Sequence, residues 1–352
     1  MKVKDVLGQI KYILELYHYW KNVKGYKPFY AELLVSSRCN SRCVMCNVWK
    51  LGKKRPEVLD DELSTQQIEN LLCELSEMGT EKVFISGGEP LLRDDIVDIV
   101  KYAKELRMKV DLVTNGILLT KSMAEELVKS GLDTLCISID SPTPDAHEKI
   151  RMVRGGWNKA VKGIGYINEA KKAHQTRKPY ININYIVSRI TYQHIAKMID
   201  FKQKFGYDSI TFLPLIGKVQ RVENLFLTED DIISLKENLN EIKNKIKDAN
   251  ISQSTIKTLV SLCSDIENSC HGKYAKSVNS RILCFAPWKM ATVDPFGNVY
   301  PCCFACTFQN LSEDLEHSFW GDEDFCMGNI KNNSFKEIWN GKKYTQFRKK
   351  CK

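Results

Sequence analysis

The sequence predicts an α/β fold, a parallel sheet with crossover helices, followed by a small cysteine-rich α+β segment. Three observations lead there. Short apolar runs rich in β-branched residues alternate with helical periodicities from residue 65 to residue 139. Each run stops at a punctuating glycine, proline or aspartate. Eight of the thirteen cysteines lie between Cys263 and Cys351. Strand, helix and strand at this spacing argue for parallel pairing, with the helices as crossovers.

In chain order, segment 1–29 places Val3, Val6, Leu7, Ile10, Ile13, Leu14 and Tyr17 at helical spacing, an amphipathic N-terminal helix. It either packs beneath the sheet or, with Lys2, Lys4 and Lys11 on its other side, lies on an anionic membrane surface. Lys82–Ser86 reads as a buried strand that ends in Gly87-Gly88-Glu89-Pro90, where the glycines allow close backbone approach and the proline forbids continuation. Lys109–Thr114 ends at Asn115-Gly116, and Asp133–Ile139 ends at Asp140-Ser141-Pro142. Helices are expected near 65–78, 94–107 and 121–131, the first opened by a capping box, Ser64-x-x-Gln67. Tyr180–Ser188 and Asp208–Pro214 supply two further strands. Asn182 and Asn184 alternate with apolar residues in the first of them, so they face the inside of the sheet or pair with backbone. A polar helical connector covers 216–280, and Thr228–Asn250 within it reads as one exposed, charged helix.

Bulk properties exclude more than they select. A chain of 352 residues has room for one large domain and a small appended one. No internal repeat, low-complexity stretch or long apolar span is present, and Lys11 and Glu15 interrupt any signal-peptide reading. The net charge of +9 is spread along the chain, which suits an anionic substrate, a carrier or plain solubility. No aromatic-and-basic module argues for nucleic acid. The expected compartment is cytoplasmic; thiols stay reduced there, so clustered cysteines point to metal rather than to disulfides.

The densest chemistry is Cys39-x3-Cys43-x2-Cys46. Three thiolates in eight residues can hold three corners of a cubane iron–sulfur cluster and leave the fourth iron bare. A metal with an open position is a site for chemistry. A zinc site or a buried reduced cysteine cluster is the structural alternative.

With the glycine-rich turn some forty residues later, this triplet resembles the signature of the radical S-adenosylmethionine (SAM) enzymes. The resemblance implies a partial (β/α)6 barrel, here over 30–215, with the cysteine loop after its first strand. It implies a [4Fe–4S] cluster that chelates SAM, and a reductant such as flavodoxin or ferredoxin. Reductive cleavage would give methionine and a 5′-deoxyadenosyl radical that abstracts hydrogen from substrate. Gly87, Gly88, Glu89 and Pro90 match the turn that receives the amino group of SAM. Asn115, Ser138, Asp140 and Arg151, at or just beyond strand ends, are the other cofactor-binding candidates, with Arg151 suited to a carboxylate. Arg151 could equally be an ordinary surface residue, and His147 reads as structural. Many family members carry an aromatic residue where this chain has Met45.

The tail extends the resemblance. Cys284, twelve residues, Gly297, four residues and Cys302 match the opening of the SPASM and twitch domains, which hold auxiliary [4Fe–4S] clusters. Asp294-Pro-Phe-Gly297 is a turn signal, so Cys284 and Cys302 flank a hairpin. Met327–Ile330 and Ser334–Asn340 resemble the stretch after that hairpin. The later block of four cysteines is missing, so one auxiliary cluster is expected in a domain spanning 281–352. Its ligands would be Cys284 and Cys302, then Cys351 and Cys326, with Cys303 and Cys306 as rivals; a zinc site built on Cys303-x2-Cys306 is the alternative. Cys73 and Cys136 read as small buried hydrophobes.

The expected function is a radical SAM oxidoreductase acting on a small polar molecule such as a sugar, aminocyclitol or natural-product intermediate. One alternative is a peptide or protein maturase, against which stand the mere 38 residues before Cys39, too few for a leader-binding domain. The other is a non-catalytic iron–sulfur or zinc protein.

Overall fold

Six strands pair in parallel and in chain order in a computed structural model that describes residues 27–50, 56–215, 220–264, 284–306 and 325–351, with Tyr17 and Lys21. They are β1 (Tyr30–Leu34), β2 (Lys82–Ser86), β3 (Lys109–Thr114), β4 (Thr134–Ser138), β5 (Tyr180–Val187) and β6 (Ser209–Pro214). The crossovers are helical: α1 (Thr65–Glu77), α2 (Ile96–Glu105), α3 (Lys121–Lys129), α4 (Pro144–Arg151), α5 (Gly156–Ala173) and α6 (Ile195–Phe205). This is the parallel α/β arrangement expected from the sequence, with strand bounds within a residue or so of the expected ones. The capping box opens α1 as read: Gln67 N donates to Ser64 Oγ at 3.3 Å, and Ser64 N to Gln67 Oε1 at 2.9 Å. The proposed N-terminal helix lies outside the described residues, apart from Tyr17, Lys21 and 27–29.

The two faces of the sheet differ in kind. Register aligns Ala31, Leu33, Val83, Ile85, Val110, Leu112, Leu135, Ile137, Ile181 and Ile183 on one face, all essentially inaccessible in the main core. The other face carries Glu32, Phe84, Asp111, Cys136, Asn182, Asn184 and Thr211. Parallel sheets usually bury both faces in hydrocarbon. A polar second face therefore marks the side that holds something other than packing. Asn182 and Asn184 sit on it, bonded to each other at 3.0 Å, while Asn182 also accepts from Thr211 Oγ1 at 3.2 Å.

Residues 228–250 depart from the expected single exposed helix. They form α7 (Glu229–Glu237) and α8 (Leu239–Asp248), meeting at Asn238. Ile232, Leu235, Leu239, Ile242 and Ile246 are buried, so the charge-rich composition hid an apolar stripe that packs on the core.

The connector also holds α9 (Lys257–Ser264), and the tail contains α10 (Ala286–Lys289), β7 (Met290–Val293), β8 (Asn298–Tyr300), β9 (Gly328–Asn329), α11 (Phe335–Asn340) and α12 (Lys342–Lys350). The expected hairpin is present: β7 and β8 pair antiparallel around Gly297, whose φ is +89°. Asp294 Oδ1 organises it by accepting from the N–H groups of Phe296 and Asn298, both at 2.9 Å. Beyond expectation, β7 pairs in parallel with β1, so one nine-stranded sheet runs from β6 through β1 into β9. Among the described residues no helix is long and apolar enough to cross a membrane.

Candidate active site

The cysteine loop leaves the end of β1 and is held from three sides. The turn after β2 grips its start: Gly88 N donates to Ser36 O at 2.6 Å, and Glu89 N to Arg38 O at 2.7 Å. Contact is so close that a Cβ on Gly87 would lie 2.5 Å from Ser36 O, and one on Gly88 would collide with the Arg38 carbonyl. Glycine is needed here for backbone against backbone. The end of α4 grips the far side, where Arg42 N and Val44 N donate to the carbonyls of Arg151 and Ile150 at 3.3 and 2.9 Å. Asn115, at the end of β3, donates from Nδ2 to Asn40 Oδ1 at 2.6 Å.

Each sulfur of the triplet has an N–H donor. Ser41 N lies 3.4 Å from Cys39 Sγ, and Arg151 Nη1 lies 3.8 Å from Cys43 Sγ. The backbone N–H groups of Val48 and Trp49 favour the ionised form of the Cys46 thiol. Burial pushes Cys39 up to about 12 and Cys46 up to about 11, with the neighbouring thiols adding to the rise. Thiols in that state ionise when a cation takes their charge. Among the described residues no three His, Cys, Asp or Glu side chains close on one point as ligands of a single ion would. By its chemistry the donor set fits a cluster: three thiols in one loop, with N–H groups aimed at the sulfur atoms.

Arg151 and Asp140 make the central ion pair. Arg151 Nε and Nη2 reach the two oxygens of Asp140 at 2.6 and 3.1 Å, and Ile186 N donates to Asp140 Oδ1 at 3.0 Å. Asp140 is fully buried, so it serves by aiming Arg151 at Cys43 and tying α4 to β5. Arg151 does find a carboxylate, and within the described residues it is this one. His147 is structural, as expected: its Nδ1 accepts from Asp140 N at 3.2 Å, and burial brings its pKa down to about 4.

Glu89 is buried as well. Its oxygens accept from Thr114 Oγ1 at 2.6 Å, Asn115 N at 2.8 Å and Leu91 N at 3.1 Å, and burial raises its pKa. It locks the turn after β2 to the end of β3. Pro90 starts a 3-10 turn behind it. Ser138 ends β4 beside Asn184 on the polar face. Met45 packs with Leu215, Val222 and Phe226 in a small apolar cluster of its own.

In the tail, Cys284, Cys302 and Cys351 share one field: burial first, then the other two thiols, push Cys351 up to about 11. Cys326 directs its Sγ at Gly328 O at 3.4 Å and Asn298 Oδ1 at 3.9 Å. Cys303 hydrogen-bonds Glu32, and Cys306 is buried in the core. Cys136, expected as a small hydrophobe, is buried but faces polar neighbours, with Asn182 Nδ2 4.0 Å away. Cys73 is only half-buried on α1, directed at Glu77.

Several residues escaped the sequence reading. Glu62 accepts from Ser37 N at 2.6 Å and from Ser36 Oγ at 3.1 Å, pinning the loop start. Glu32 accepts from Thr292 Oγ1 at 3.1 Å, and burial raises its pKa. Tyr30, pushed up to about 12 by burial, lies in the field of Cys303, Glu32 and Cys302. A charge within a five-residue strand was the one available signal, at Glu32.

Comparison with known proteins agrees with this geometry. The radical SAM superfamily profile matches residues 33–201, and the SPASM iron–sulfur cluster-binding domain matches residues 284–352. An AdoMet-dependent heme synthase of Methanosarcina barkeri (strain Fusaro / DSM 804) is 30% identical over 49% of this chain, which spans only 46% of that protein. A PqqA peptide cyclase of Granulibacter bethesdensis is 25% identical over 80% of this chain and 68% of its own. Among solved structures, Streptococcus suis SuiB bound to S-adenosylmethionine superposes with a TM-score of 0.63 at 18% identity, covering 92% of this chain and 68% of that one. SuiB bound to its precursor peptide SuiA gives 0.65 at 17% identity, over 98% and 71%. These structural likenesses show the fold. The first domain implies a [4Fe–4S] cluster with SAM and the second implies auxiliary iron–sulfur clusters: the chain belongs to the radical SAM superfamily and bears a SPASM domain after its core.

Proposed function

We propose that this enzyme abstracts hydrogen from an unactivated C–H bond of a polar substrate seated against the polar face of the sheet, and that the outcome is an oxidation or rearrangement. The one-sidedness of that sheet carries the reading. Its polar face carries Ser138 paired with Asn184, and Glu32 bonded to Thr292 and to Cys303 of the tail. A substrate there would lie between the two iron–sulfur centres. The cluster, when bound at Cys39, Cys43 and Cys46, supplies the electron that cleaves SAM. The protein's own residues do the rest: Gly87, Gly88 and Glu89 shape the cofactor's seat, Asp140 aims Arg151 at Cys43, and Asn182, Asn184 and Thr211 offer amide and hydroxyl partners to substrate. The core over 30–215 would work in the cytoplasm with flavodoxin or ferredoxin as reductant.

For the substrate, the charged groups of the polar face already have partners within the protein: Lys82 pairs with Asp111 at 2.5 Å, and Glu32 accepts hydrogen bonds from Thr292 and Cys303. Neutral hydroxyl- and amide-bearing groups suit such a wall, as in a sugar, an aminocyclitol or another natural-product intermediate. A peptide presents the same groups, and the likeness to a peptide cyclase over most of both chains supports that second reading. Anaerobic incubation of the reconstituted enzyme with SAM and dithionite should release 5′-deoxyadenosine; none above a no-enzyme control would end the proposal. Added substrate should raise that release. Stimulation by peptides encoded nearby, with a matching mass change in the peptide, would decide for a maturase; stimulation by polyols alone would decide for a small molecule.

A further inference from the structure

One hydroxyl in the cysteine loop is buried and unpaired. Ser41 is 1% exposed, and its Oγ has no hydrogen-bond partner. A buried polar group left unpaired costs about 1–3 kcal/mol, so folds rarely keep one without a use. The backbone N–H of Ser41 is already engaged, 3.4 Å from Cys39 Sγ. The donor left over is the hydroxyl.

Its place in the loop narrows what that donor serves. Arg42 N and Val44 N, two residues apart, both donate to carbonyls at the end of α4. The Arg42 side chain is exposed, whereas Ser41 and Cys43 on either side of it are buried. Such alternation puts Ser41 and Cys43 on the inner side of the loop and turns Arg42 to solvent. Covalent geometry holds Ser41 Oγ within about 7 Å of Cys39 Sγ. Other polar side chains of the loop are paired: Ser36 Oγ and Ser37 Oγ bond Glu62, and Asn40 Oδ1 accepts from Asn115. Ser41, set between two of the three thiols, is the one left open. Thr80 Oγ1 is buried and unpaired too, but it lies just before β2, at the end of the sheet away from the cysteine loop.

We propose that the Ser41 hydroxyl donates a hydrogen bond to a sulfur of the iron–sulfur cluster held by Cys39, Cys43 and Cys46, and that this bond raises the cluster's reduction potential. Reduction adds one electron and breaks no bond, so the accepting sulfur becomes more anionic and the hydrogen bond stronger. Hydrogen bonds to the sulfurs are among the factors that set such a potential. Ser41 acts through the cluster and is a positioning residue. Its role depends on the cluster and is indifferent to the substrate.

The experiment compares Ser41→Ala, Ser41→Thr and Thr80→Val with the wild type, each as the full chain. Reconstituted samples are assayed for iron and titrated anaerobically by electron paramagnetic resonance against redox mediators. The signal that changes on adding SAM identifies the loop cluster. Ser41→Ala should keep its iron and make reduction of that cluster at least threefold less favourable, about 28 mV lower at 59 mV per tenfold for one electron. Ser41→Thr and Thr80→Val should stay near the wild type. Iron lost from Ser41→Ala but kept by Ser41→Thr would support the same role. Urea unfolding of the metal-free chains gives a second readout. There Ser41→Ala should be no less stable than the wild type, since it removes an unpaired hydroxyl, as Thr80→Val does. An unchanged potential in Ser41→Ala, with iron retained, would overturn the proposal. So would a destabilised metal-free Ser41→Ala, because the hydroxyl would then have its partner in the protein. A wild type without a SAM-responsive signal would remove the cluster and the proposed reaction together, whereas failure in Ser41→Ala alone leaves that reaction standing.

Discussion

The two thiol sets of this molecule are assembled in opposite ways. Cys39, Cys43 and Cys46 lie within one loop, and the fold's task is to hold that loop still. It does so with backbone bonds from the turn after β2 and from α4, and with the side chains of Glu62, Asn115 and Arg151. Cys284, Cys302 and Cys351 come from three separate stretches of chain, and Cys351 feels the charge of the other two only because a hairpin and a helix are docked. In the first set the ligands are local and their support is distant. In the second the candidate ligands are themselves distant, so any site they form depends on the folded tail. The charges differ too: Arg151 has Asp140, whereas Arg348 has carbonyls and aromatic rings.

The largest expected effect tests whether the two sets are independent. Changing Cys39, Cys43 and Cys46 together to Ala should abolish 5′-deoxyadenosine formation while leaving about four irons per chain. Near-zero iron in that variant, with one cluster in the wild type, would erase the distinction and make the tail a zinc or structural element.

Next comes the ion pair of the first set. Asp140→Asn leaves the largely covered Arg151 beside Cys43 without its carboxylate, and should cost about 3–5 kcal/mol in urea unfolding of the apoprotein. It should also weaken iron retention at the loop more than in the tail. A loss below about 1 kcal/mol would assign the pair to the weak, surface-like class.

Acid should act through the same region. His147 titrates near 4 when folded and near 6.5 when unfolded, because burial disfavours its charged form. Its contribution is therefore complete above about pH 6.5 and declines as pH falls toward 4, by an amount on the order of 3 kcal/mol. Unfolding free energies at several pH values, for the wild type and for His147→Asn, should differ in slope across that window. Parallel slopes would place the acid sensitivity elsewhere.

The smallest effect sharpens the tail side. Ser334 caps α11, with Glu337 N donating to its Oγ at 3.2 Å and Ser334 N to Glu337 Oε2 at 3.0 Å. Ser334→Ala should cost about 1 kcal/mol of stability. In thermal scans followed by cluster absorbance, bleaching of the tail centre should shift while SAM cleavage at moderate temperature does not.

The sequence by itself determined what depends on spacing. The cysteine triplet, the glycine turn, the capping box at Ser64 and the hairpin at Asp294–Gly297 were all legible, because each works within a few residues of chain. Strand bounds followed from apolar runs and their stop signals. Spacing also misled where composition masked a stripe, as in α7 and α8. The tertiary structure alone decided the pairing of β1 with β7, the joining of Asn40 to Asn115, the capture of Ser36 and Ser37 by Glu62, and the meeting of Glu32 with Thr292 across 260 positions. It also turned Asp140 and Glu89 inward as braces. Such contacts join residues whose separation along the chain carries no periodicity, so no local pattern announces them. The same holds for Arg348, which reads as part of a basic terminal run, Arg348-Lys349-Lys350, until the docking of α12 buries it.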